Sequence, residues 1–234
     1  MEMKERIKKY KYLFIGGIMG IVQQFAGRLD YMLYKGHDIF SFSAIMGGLS
    51  IYAAIILFTI KRDVPPKQQF RDLFLFFFGL DFFYYLYIFV LDIIEYITVP
   101  DTLPDYLRLE AIYFQNTKGE IIDFIKWTTI GTAAAVWGYF ATRFRNDGKK
   151  KRYSVMMLPL FAVITLELIL SCVTNVTYCI QEYKVSHGIL LPEEGNRTGD
   201  WSSLIVTLFI LGLCVYKFFI KPNKQSKTQL IAGT

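Results

Sequence analysis

Charge is scarce in this chain and unevenly spread. Of 234 residues, 20% are Asp, Glu, Lys or Arg, against 53% hydrophobic and 17% aromatic. Soluble domains carry about 25% charged residues and need them throughout to cover their surface. Here the charges gather in clusters between long apolar runs, which argues against an ordinary soluble globule. Histidine is nearly absent. His37 and His187 are the only two, so a histidine-based metal site is not expected. No cofactor is expected either: haem would find no histidine inside an apolar run, and retinal no mid-run lysine. The three cysteines, Cys172, Cys179 and Cys214, lie in apolar segments without a CxxC pair. They are expected to be small buried apolar residues, a bridge to Cys214 being the alternative. A bridge between Cys172 and Cys179 within one helix is excluded by geometry.

Catalytic signatures are missing too. There is no HExxH, GxSxG, P-loop or GxGxxG pattern. An enzyme reading would rest on loop residues, His37-Asp38 with His187 and Glu193-Glu194, acting on a lipid at the outer face. A cleavable leader is also not evident. The apolar run from Tyr12 follows a basic stretch but continues through Gln23 and Gln24 to Arg28 without a small-x-small cleavage pattern. It is read as a retained first span.

What the chain does have is length of apolar sequence. About 20 mostly apolar residues are needed to cross the hydrocarbon core as a helix. Six segments qualify: 12–29, 39–60, 73–99, 121–142, 153–180 and 202–220. In lipid every backbone group must be satisfied within the segment, which favours helices throughout. The expected fold is therefore all-α: one transmembrane domain over residues 1–234, a polytopic bundle of six membrane helices.

Basic residues set the orientation. Most of the 26 Lys and Arg fall in the N-terminal tail (Lys4, Arg6, Lys8, Lys9, Lys11), after span two (Lys61, Arg62, Lys67, Arg71), after span four (Arg143, Arg145, Lys149 to Arg152) and at the C-terminal end. The positive-inside rule then places both termini in the cytoplasm, with the chain in the cell membrane. The net charge of +6 sits beside the spans, so the partner it implies is a membrane surface and not nucleic acid. On the expected outer side, Asn196-Arg197-Thr198 is a glycosylation sequon.

Two kinds of helix face stand out. Gly16 and Gly20 in span one, and Gly131, Ala134, Ala135 and Gly138 in span four, are small-residue faces that let helices approach closely. Polar stripes mark spans three and five. At about 100° per residue, Asp81, Tyr85, Asp92 and Glu95 share one face of an aromatic helix, and Glu167, Ser171, Thr174 and Tyr178 share one face of another. Span one adds Gln24, Arg28 and Tyr31. A carboxylate at membrane depth costs a few kcal/mol or more unless paired, protonated or wetted. These groups are therefore expected to line an acidic polar cavity among spans one, three and five, with Arg28 as counter-charge and Asp81 and Glu167 deepest.

In topology, the six-span plan with both ends inside resembles the small permease subunits of ABC exporters and the substrate-binding subunits of bacterial vitamin importers. That resemblance implies a transport component, a permease or carrier subunit. Its partners would be the bilayer and a cytoplasmic ATPase docking on the loop 61–72, or another membrane subunit. A second reading stays open: a non-catalytic membrane protein that senses, anchors or inhibits a partner, its buried acids merely holding helices together.

Overall fold

The computed structural model describes residues 2–34, 42–60, 63–98, 115–187, 189 and 201–220. Those residues form helices α1 (Glu2–Tyr34), α2 (Phe42–Gly47), α3 (Leu49–Ile60), α4 (Pro66–Thr98), α5 (Gln115–Asn146), α6 (Lys150–Ser186) and α7 (Trp201–Val215), followed by a π-helical turn, Tyr216–Ile220. No strand occurs among the described residues, which are all-α. Among the described residues three segments are long and apolar enough to cross a membrane: Pro66–Leu91, Lys150–Ser186 and Trp201–Phe219. On α6 the apolar surface faces outward. Leu158, Leu166, Leu170, Val173 and Val176 are each more than half exposed. Such a continuous apolar surface marks contact with lipid or a partner.

The helices sort into two compact units. The first contains Met1–Leu33 and Thr59–Met156, the second Tyr34–Phe58 and Met157–Thr234. In the first unit α4 runs between α1 and α5. The small face of α1 meets the α4 backbone directly: a Cβ at Gly16 would collide with the Phe76 carbonyl oxygen, and one at Gly20 with that of Leu80. No larger residue can stand at either crossing without moving a backbone. On the other side Gly138 packs on Leu73, and Gly131 on Phe77. The buried row of α4, Gln69, Leu73, Phe76 and Leu80, follows the spacing of a single helix face.

Each end of α3 is capped. α4 opens on Pro66, whose missing N–H is no loss at a first helical position. Ahead of it the connection from α3 is held by α5: Arg145 donates to the Ile60 carbonyl at 2.5 Å and lies 3.9 Å from Asp63, and Asn146 donates to the Val64 carbonyl at 3.4 Å. The Ile60 carbonyl is one of the orphan acceptors at a helix C-terminus, where a cation is favoured. α5 and α6 are joined by a short turn through Gly148, which adopts φ +68°, a conformation natural to glycine.

The second expected span, 39–60, is not one helix. It breaks at Gly48 into α2 and α3. The break is tight, with Gly48 N–H bonded to the Ile45 carbonyl (3.4 Å) and Ile51 N–H to the Gly48 carbonyl (3.2 Å). Tyr52 Oη satisfies the Met46 carbonyl at 3.1 Å. Gly47-Gly48 is the cause in sequence, since each glycine costs a helix about 1 kcal/mol relative to alanine. The cysteines also differ from expectation. All three are free, but only Cys214 is buried; Cys172 and Cys179 sit on the exposed face of α6.

Candidate functional site in the α4 and α5 seam

Helices α4 and α5 pack antiparallel, and the order of contacts along them locates the site. Leu73 meets Gly138 and Phe77 meets Gly131. One step on, Thr128 faces the Asp81 carboxyl, and beyond that the Tyr85 and Phe124 rings lie 5.9 Å apart edge to face. Asp81 thus falls near the middle of the 26-residue apolar segment Pro66–Leu91. It is 6% exposed, so the surrounding helices and not the outside set its environment.

The carboxyl is incompletely satisfied. Asp81 Oδ2 and Thr128 Oγ1 are both buried, and neither completes a hydrogen bond of normal geometry. An unsatisfied buried polar group costs about 1–3 kcal/mol, more when charged. The Thr128 hydroxyl and the Asp81 carboxyl face each other without normal hydrogen-bond geometry, and a third group beside them would complete both. Together they suit a proton or a small cation, whose oxygen ligands are of this type. Around them Tyr84 and Tyr85 contact each other at 5.0 Å, and Asp123 of α5 acts electrostatically on both tyrosines. Asp123 is itself paired with Lys126 at 3.0 Å. Among the described residues no group of three or more His, Cys, Asp or Glu could hold a metal ion.

The other expected site residues divide by unit. Gln24 and Tyr85 are half-buried in the first unit with Asp81. The side chains of Arg28, Tyr31, Asp92 and Glu95 lie outside the described residues, as do His37, Glu193, Glu194 and the sequon at Asn196. Glu167, Ser171, Thr174 and Tyr178 belong to the second unit. There Glu167 accepts a short hydrogen bond from the Ser50 backbone N–H, in the first turn of α3. That amide is one of the orphan donors of a helix N-terminus, and a carboxylate is the side chain its dipole favours. Ser50 Oγ also lies 3.4 Å from Thr207 Oγ1 of α7. Glu167 is thereby bound into the architecture of the broken helix.

Sequence periodicity missed some of the second unit's polar groups. Thr174 is exposed, and its neighbour Asn175 takes the buried position, donating to the Ser171 carbonyl at 2.9 Å. Ser202, Ser203 and Thr207 form a buried polar face on α7. The spacing of Ser203, Thr207 and Cys214 is the signal that could have found it. His187 bonds within its own helix end, to Ser186 Oγ at 3.0 Å and the Tyr183 carbonyl at 2.9 Å. Set against known proteins, the chain matches no family model, no curated protein and no solved structure.

Proposed function

We propose that this chain is a six-span membrane protein of the cell membrane, with both termini cytoplasmic, that serves as a transport component: a permease or carrier subunit whose cargo or coupling ion engages Asp81. The observation that carries the reading is the Asp81 carboxyl, 6% exposed and with Oδ2 unpartnered beside Thr128 in the middle of an apolar segment. Ionisable groups at that depth are costly and typically mark ion or substrate paths. The orientation is supported by the basic clusters and by the Arg145 contacts to Ile60 and Asp63, which bring the connection after α3 against the end of α5. An ATPase or second membrane subunit as partner belongs to the same proposal.

The test is charge movement in proteoliposomes, driven by imposed proton, sodium or potassium gradients. Wild type is expected to respond to at least one gradient, and Asp81→Asn to lose at least nine-tenths of that response while reconstituting normally. An unchanged response in Asp81→Asn removes Asp81 from the path.

The second reading, helices held together by buried acids in a protein that senses or anchors a partner, has its own support in Glu167. Its carboxylate is committed to the Ser50 amide at the start of α3. On that reading Glu167→Leu and Asp81→Asn both lower thermal stability and neither changes ion movement.

A further inference from the structure

Outside the Asp81 seam, the first unit carries a cleft along α5 and the first turns of α6. It measures about 690 Å³, and Thr129, Ala133, Val136, Trp137, Phe140 and Met156 are among its lining residues, with Phe144 at its end. Its α5 and α6 walls are tied together, because Trp137 Nε1 donates to the Met156 carbonyl at 3.0 Å. From Thr129 to Phe144 the helix rises about 22 Å, more than one leaflet's share of a hydrocarbon core about 30 Å thick.

One end of this apolar cleft is strongly basic. Arg152 stands 5.8 Å from the centroid of the Phe144 ring, so a cation sits where the lining ends. Arg143, Arg145, Lys149, Lys150 and Lys151 are its neighbours in the same turn, and Asp147 is the one acid among them. That acid is already shared, at 3.9 Å from Arg143 and 3.4 Å from Lys149. Arg145 is turned to Ile60 and Asp63. The remaining positive charge of Lys150, Lys151 and Arg152 is answered by no acid in the turn.

An apolar slot of acyl-chain length that ends in excess positive charge has the complement of one class of molecule. We propose that the cleft holds an anionic phospholipid, with an acyl chain along α5 from Phe144 towards Thr129 and the phosphate against Arg152. Zwitterionic lipid fits the slot equally well but gains less at its basic end, since basic groups at a membrane surface attract net negative charge. This inference requires that the chain lies in a bilayer; it does not require transport.

The experiment is native mass spectrometry of the full chain in detergent, titrated with phosphatidylglycerol or phosphatidylcholine of identical acyl chains. The expected result is one phosphatidylglycerol retained per chain at least fivefold more strongly than phosphatidylcholine. Arg152→Gln should erase about fivefold of that preference while leaving phosphatidylcholine retention unchanged. Ala133→Trp, on an exposed position of the lining, should reduce retention of both lipids. Equal retention of the two lipids by wild type overturns the proposal, and so does undiminished retention in Ala133→Trp. Retention of neither lipid also overturns it. Ion movement in proteoliposomes of Ala133→Trp keeps this outcome separate from the Asp81 reading, because the cleft lies outside the α4 and α5 seam.

Discussion

Asp81 and Glu167 are both carboxylates on apolar helices, but their surroundings differ. Glu167 accepts from the Ser50 amide and so completes the first turn of α3. Asp81 keeps one buried oxygen without a partner beside Thr128. Opposite responses to substitution are therefore expected. Glu167→Gln retains a carbonyl acceptor and should cost less than about 1 kcal/mol, whereas Glu167→Leu strands the amide and should cost about 1–3 kcal/mol. Thermal unfolding in detergent measures both, and equal, negligible effects would remove Glu167 from the cap. Asp81→Asn should leave the unfolding temperature at or above wild type, since it relieves a buried group that the fold does not satisfy, while it abolishes ion movement. Stability gained as activity is lost is the usual signature of a functional site. A clear loss of stability in Asp81→Asn would mean that the carboxyl holds helices together. Sequence reasoning reached both acids because a charge within an apolar run stands out unaided. In span five Glu167, Ser171 and Tyr178 are half-buried, but Thr174 is exposed and its neighbour Asn175 is buried; polar residues stand on several sides of that helix, so spacing alone does not show which side is inward.

At the level of whole helices, small residues decide where backbones meet. Gly16 and Gly20 of α1 lie against the Phe76 and Leu80 carbonyls of α4, so Gly20→Leu should separate the two helices. The expected cost is about 1–3 kcal/mol or more from overpacking, visible as a drop in unfolding temperature. Gly212, where a Cβ would meet nothing, serves as the control: Gly212→Leu should have little effect. Equal tolerance at both positions would contradict the packing described here. The GxxxG spacing was readable in the sequence, since it reports close approach whatever the partner helix. The break in span two was not. Hydropathy averaged over 39–60 is blind to it, and Gly47-Gly48 looks like another small packing face until the Tyr52, Ser50 and Arg145 caps are seen. A helix of 12 residues such as α3 spans about 18 Å, short of the hydrocarbon core, so its two ends need these partners.

For the molecule as a whole, the membrane crossing pattern sets where every other feature lies. Composition alone separated this chain from soluble proteins, and the three apolar segments at Pro66–Leu91, Lys150–Ser186 and Trp201–Phe219 agree with that separation. Six crossings and cytoplasmic termini rest on the spacing of apolar runs and on where Lys and Arg fall between them. The most direct measurement is labelling of single cysteines by a membrane-impermeant maleimide, in intact cells and in inverted vesicles, on a background with Cys172, Cys179 and Cys214 replaced by alanine. Asp63→Cys and Asp147→Cys should be labelled only in inverted vesicles, and Asp105→Cys and Glu193→Cys only in intact cells. Labelling of Asp63→Cys and Asp147→Cys from opposite sides, or of all four positions from the same side, would contradict the account.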